Sequence, residues 1–116
     1  MKIVSVSEDK KIERRIAITP DIAKKYVDLG FKVSIVENYG EHLGFKDNQY
    51  KELGVETLKN EADVLNSADI IIQLGLLSDN NLLLLKENQT LVGVLNPHIN
   101  KEKLENLSKK NINIFS

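Results

Sequence analysis

The chain has 116 residues and a formal net charge of −1, with 41% hydrophobic and 28% charged residues. That length and composition fit one globular domain, 1–116, with its own core, and the near-neutral charge gives no reason to expect nucleic acid or an anionic membrane. Cysteine is absent, which excludes disulfides and thiolate metal sites, and no apolar run approaches the ~20 residues that cross a bilayer.

Taken in order, Met1 to Val6 reads as a strand and not as a signal peptide. Thr19 is a good helix N-cap, Pro20 suits the first helical position, and Asp21 places negative charge at the positive end of the dipole. Ile22, Ala23, Tyr26, Val27 and Leu29 give the spacing of one buried helix face, and Gly30 is a natural stop. Lys32 to Glu37 is a second strand, followed by a turn-rich loop from Asn38 to Gly44, and Gly44 to Asp47 is expected to be a loop anchored by buried Phe45. Asp47 is expected to cap a short helix through Leu53, and Val55 to Leu58 is a short strand. Asn60 is expected to cap a helix through Asn66.

Asp69 to Leu74 is an unalternating apolar run, the pattern of a central parallel strand covered on both faces. Gly75 breaks it. Leu82 to Leu85, with Asp79 ahead, suggests a short helix. Thr90 to Leu95 is the next buried strand. Asn100 is expected to cap a helix through Lys110, with Ile99 and Leu104 in staple positions, and Ile112 to Phe115 is a last strand. Strands alternating with helices at this spacing predict an α/β fold, a mostly parallel sheet with flanking helices, flavodoxin- or Rossmann-like. A strand at the chain end also suggests a continuation that packs beyond it.

No two glycines are spaced as G-x-G, and there is no phosphate loop ending in Gly-Lys-Ser/Thr, so the chain alone is not expected to bind a nicotinamide cofactor. Nothing predicts a metal site. The only arginines, Arg14 and Arg15, lie on the connection between the first strand and helix, where α/β clefts are built. Arg15 has two readings: a surface partner of Glu13 or Glu8, worth about 0–1 kcal/mol, or a forked receptor for a carboxylate or phosphate. His98, past the Thr90–Leu95 strand, reads either as an acid/base group or as an exposed loop residue; His42 sits in a glycine-flanked loop.

Several segments together resemble one family. Arg15-Ile16-Ala17-Ile18-Thr19-Pro20 is similar to the R-V-A-x-T-P motif of the N-terminal domain shared by alanine dehydrogenases and proton-translocating NAD(P) transhydrogenases. Leu29-Gly30-Phe31-Lys32-Val33 looks like its L-G-x-x-V, and Gly44-Phe45-Lys46-Asp47-Asn48-Gln49-Tyr50 like its G-F-x-D-x-x-Y. Leu53-Gly54-Val55 is similar to A-G-A, and Ala68 to Gln73 resembles the family's A-D-(I/L)-(I/L)-L-K strand. Where alanine dehydrogenases have a pyruvate-binding lysine, this chain has Gly75. Where they have a catalytic histidine it has Asn96, within Asn96-Pro97-His98-Ile99-Asn100, which resembles the transhydrogenase pattern; no catalytic role is carried onto His98.

The resemblance implies the N-terminal half-domain of a transhydrogenase alpha subunit. That enzyme moves hydride between NAD(H) and NADP(H), coupled to proton translocation. The resemblance further implies NAD in the full-length protein, with no cofactor expected for this chain alone. The implied partners are a downstream NAD(H)-binding Rossmann region, a beta subunit and membrane domains, with a homodimer on the cytoplasmic face of the membrane. The other readings are a fragment of an alanine dehydrogenase-like amino-acid dehydrogenase and a free-standing carboxylate-binding module. Arg15 is the one substrate or cleft residue carried over.

Overall fold

The computed structural model describes residues 1–116 and contains six strands and five helices. The strands are β1 (Lys2–Ser5), β2 (Lys32–Val36), β3 (Glu56–Leu58), β4 (Ile70–Ile72), β5 (Thr90–Val92) and β6 (Asn113–Phe115). The helices are α1 (Pro20–Asp28), α2 (Asp47–Glu52), α3 (Glu61–Asn66), α4 (Asp79–Leu82) and α5 (Lys101–Lys109). The strands form one sheet of order β3-β2-β1-β4-β5-β6, and every strand pair is parallel. This is the strand order of the Rossmann fold, and the sheet is entirely rather than mostly parallel.

The core follows from the strand sequences. Val4, Ile35, Ile71 and Leu91 have no exposed surface, and Ile71 pairs with Val4 on one side and Leu91 on the other. Helix α1 packs on α2 and β2, while α3 packs across β1, β2 and β3 and against α4. Burying such side chains stabilises by about 1.5–3 kcal/mol each before the entropy of ordering the chain is set against it.

Helix α1 starts as its residues require. Thr19 is extended, and its Oγ1 accepts from the Ile22 N–H at 3.4 Å. Gly30 takes φ +95° just after the helix, a conformation that favours glycine.

Other local expectations are corrected by competing tertiary contacts. Leu29 is 74% exposed, because it lies at the C-cap and off the buried stripe. Asp47 is the first residue of α2, not its cap; its carboxylate accepts from the Asn38 N–H at 3.0 and 3.1 Å, and Gln49 Oε1 accepts from the Lys46 N–H at 2.8 Å. Phe45 is half-buried against the core. Asn60 stands at the N-cap of α3 without capping it. The short helix comes earlier than Leu82–Leu85, because Ser78 Oγ accepts from the Asn81 N–H at 3.3 Å and starts α4 at Asp79. Asn100 turns its amide back to the Leu95 carbonyl at 2.7 Å, and Ile99 is 83% exposed, so no staple forms with Leu104.

Candidate functional site

Strands β1 and β4 are neighbours, yet the chain runs from β1 toward β2 and β3 and from β4 toward β5 and β6. Where the order reverses, the connections leave in opposite directions and open a crevice beyond the carboxyl ends of the strands. A cleft of about 370 Å³ lies there, with Ser7, Glu8, Glu61, Gln73, Ser78 and Asn81 among its walls and no lysine, arginine or histidine.

Gln73 belongs to its lining, and a second buried polar residue, Ser5, bonds to it. Ser5 and Gln73 are almost without exposed surface, and the Ser5 hydroxyl donates to Gln73 Oε1 at 2.9 Å. The same oxygen accepts from the Val6 N–H at 2.8 Å, while Gln73 Nε2 donates to the Val6 carbonyl at 3.0 Å and to Glu8 Oε2 at 2.9 Å. All of the amide's usual partners are thus supplied, as a buried side chain requires. Glu8 also accepts from the N–H of Leu74 at 2.7 Å and of Gly75 at 3.1 Å. Burial pushes the Glu8 carboxyl above its ordinary value, helped by repulsion from Glu13 and opposed by these hydrogen bonds.

The network reaches the arginine segment through Tyr39. Its hydroxyl donates to Ser5 Oγ at 2.9 Å and accepts from the N–H groups of Ala17 at 3.1 Å and Ile18 at 3.0 Å. Burial pushes the Tyr39 hydroxyl up to about 12, so it stays a proton donor. Tyr50, raised in the same direction by burial, donates to the Ile18 carbonyl at 2.8 Å, and its ring meets Tyr39 edge to face. Ile16 and Ile18 are buried, whereas the neighbouring Arg14 and Arg15 are both exposed. His42 donates from Nε2 to the Arg14 carbonyl at 2.7 Å and pins the start of this segment; a carbonyl has no proton to give, which fixes the tautomer.

Arg15 itself is 80% exposed and forks onto Glu13, with Nε to Oε2 at 3.0 Å and Nη2 to Oε1 at 2.8 Å. The Glu13 carboxyl falls to about 2 because it accepts the Arg15 side-chain and backbone hydrogen bonds. Arg15 does not line the crevice, but Glu13 is close enough to be felt by Glu8. His98 is exposed on the turn that begins at Asn96, where Asn96 takes φ +46° and its carbonyl accepts from the Ile99 and Asn100 N–H groups. Gly75 and Asn96 therefore follow β4 and β5 without supplying a cation or a proton carrier. A second cavity of about 260 Å³, between Leu82, Leu83 and Leu107 of α4 and α5, is apolar.

Sequence reasoning missed Glu8, Gln73 and Tyr39 as parts of one site. Their only sequence signal is two polar residues, Ser5 and Gln73, at the ends of apolar strands, and these partners lie 68 residues apart. As for a nicotinamide nucleotide, the crevice offers carboxylate, amide and hydroxyl groups suited to hydroxyl or amide donors. The Leu74 and Gly75 N–H groups, the donors placed to cradle a phosphate, are already taken by Glu8. The residues present therefore make a cleft wall and not a pyrophosphate cradle.

Known proteins share this architecture and sequence. The chain is 32% identical over 120 residues to the first portion of the NAD(P) transhydrogenase alpha subunit of Rickettsia prowazekii, covering 100% of this chain and 31% of that protein. It is 28% identical over 116 residues to alanine dehydrogenase 1 of Staphylococcus aureus, covering 100% of this chain and 31% of that one. In fold it matches the crystal structure of the transhydrogenase from Sinorhizobium meliloti with TM-score 0.88 at 22% identity, over 98% of this chain and 34% of that chain. The chain thus spans about a third of the length of these relatives, whose names are those of oxidoreductases. Residues 5–116 match the family described as Alanine dehydrogenase/PNT, N-terminal domain, and the chain belongs to that family.

Proposed function

We propose that this chain is the N-terminal part of the NAD(H)-binding component of a proton-translocating NAD(P) transhydrogenase, a single α/β half-domain that walls one side of the NAD(H) cleft. In the full enzyme hydride passes between NAD(H) and NADP(H), coupled to proton translocation. The glycine-rich turn that holds the pyrophosphate belongs to a downstream Rossmann region. A beta subunit, membrane domains and a second copy of the alpha chain complete the assembly at the cytoplasmic face.

The observation that carries this reading is the crevice at the end of β4. Gly75 stands where the resembling alanine dehydrogenases have a substrate-binding lysine, and its N–H is closed on Glu8. Amination of a keto acid needs a cation for the carboxylate and an acid/base at the imine carbon. The crevice lining provides no cation for the first task and no histidine or lysine for the second. Hydride transfer between two nucleotides needs no such pair from this wall, only groups that orient a ring and exclude water.

The reading of an alanine dehydrogenase-like fragment is supported by the Staphylococcus aureus relative and by Arg15, whose fork would exchange Glu13 for a substrate carboxylate. Calorimetric titration of NADH into the isolated chain tests the first reading. The expected Kd is about 1 mM or weaker, because the phosphates find no cradle. A Kd of about 1 μM would overturn it.

A further inference from the structure

We propose that Glu8 is a specificity-determining residue: an intrachain carboxylate that fills an anion-shaped notch and so shuts external carboxylates out of the crevice. Three donors converge on it. Leu74 N–H and Gln73 Nε2 reach Oε2 at 2.7 and 2.9 Å, and Gly75 N–H reaches Oε1 at 3.1 Å. That is two-oxygen recognition by groups fixed in the main chain or by a buried, fully bonded amide, which is how a carboxylate receptor is made.

The occupant comes from the connection 6–19, and the same connection fills the only other strong anion receptor nearby. There the Arg15 fork holds both oxygens of Glu13. Both receptors, one at the end of β4 and one on the connection itself, are thus satisfied by carboxylates of the 6–19 connection. The groups facing Glu8 reinforce the exclusion. Glu13 raises its proton affinity by repulsion, Asp9 and Glu61 stand in the same cleft, and no cation lines it. With Glu8 in place an incoming anion meets like charge and finds the Leu74 and Gly75 N–H groups and Gln73 Nε2 already taken. A hydroxyl or amide donor instead meets waiting acceptors. The walls also include Ile12, Leu76 and Leu77, so a small aliphatic carboxylate would fit once Glu8 is removed.

Exclusion by Glu8 is a property of the chain itself and needs no nucleotide, so it stands or falls apart from the transhydrogenase reading. The test uses acetate at pH 7 against sodium chloride at equal ionic strength, with wild type, Glu8→Ala and Glu8→Gln. In Glu8→Ala acetate is expected to raise Tm by about 5 °C at ten times its Kd and to shift the Leu74 and Gly75 amide resonances. Wild type and Glu8→Gln, whose notch stays filled, are expected to respond to acetate as they do to chloride. Equal acetate responses in wild type and Glu8→Ala, or none in Glu8→Ala, would overturn the proposal. Should Glu8→Ala fail to fold in buffer, recovery of folded protein in acetate but not in chloride supports it. Failure in both, with Glu8→Gln folding normally, counts against it.

Discussion

The Tyr39 hydroxyl donates to Ser5 Oγ at 2.9 Å while it accepts from the N–H groups of Ala17 and Ile18, so one phenol ties the end of β1 to the segment that carries Arg15. Tyr39→Phe keeps the ring and its contact with Tyr50 but orphans these donors. Each buried unsatisfied group costs about 1–3 kcal/mol, so the variant is expected to lose roughly 2–4 kcal/mol. Urea unfolding with an unchanged m value checks this. A shift under about 0.5 kcal/mol would mean that water replaces the hydroxyl.

Gly93 marks a second constraint at the crevice. A Cβ there would lie 2.5 Å from the Gln73 carbonyl oxygen, a backbone atom that cannot swing aside. Gly93→Ala must therefore part the ends of β4 and β5, at a cost of about 1–3 kcal/mol or more. Denaturant unfolding measures it. Gly75→Ala is the control, because its Cβ would meet only Glu8 Oε1 at an ordinary 3.6 Å; no loss is expected there beyond what a surface substitution shows.

Glu8 and Glu13 should shape stability against pH in opposite senses. The folded Glu8 carboxyl lies above its ordinary 4.5, so between 4.5 and that higher value the folded chain holds more proton than the unfolded one. Stability contributed by Glu8 therefore falls as pH rises through that window. Glu13 lies at about 2 when folded. Its contribution is fully present above the ordinary 4.5 and disappears as pH falls through about 2. Urea midpoints across roughly pH 2–7 for wild type and Glu8→Gln check the first effect, which Glu8→Gln should remove.

Arg15→Ala is expected to lower the urea midpoint only slightly, since the ion pair is solvent-exposed and such pairs contribute little. Its signature is elsewhere. The Glu13 carboxyl resonance, which should titrate at about 2 in the wild type, is expected to return toward 4.5. A midpoint that stays near 2 would show that Arg15 is not its main partner.

Much of the fold is legible locally. Thr19 followed by Pro20 starts α1 because cap and first-turn chemistry involve only near neighbours. The Ile70–Ile72 run marks a central strand because burial on both faces leaves no alternation. The features that local reading misplaces are those where a distant group competes. Asn100 gives its amide to Leu95, Asp47 gives its carboxylate to Asn38, and Ile99 points to solvent where its spacing to Leu104 suggests a staple. The site is legible only in part. Arg15 stands out by its chemistry, and the structure places it on Glu13 outside the crevice lining. Glu8 carries no local mark: its meaning comes from Leu74 and Gly75, which the β1–β4 pairing alone brings to it.

The most direct test of the cleft-wall assignment is an amide NMR titration of the 116-residue chain with NADH. Weak binding in fast exchange is expected, with shifts at Glu8, Gln73, Leu74 and Gly75 and none along the apolar groove between α4 and α5. Shifts confined to that groove, no shift at the crevice, or tight binding in slow exchange would contradict it.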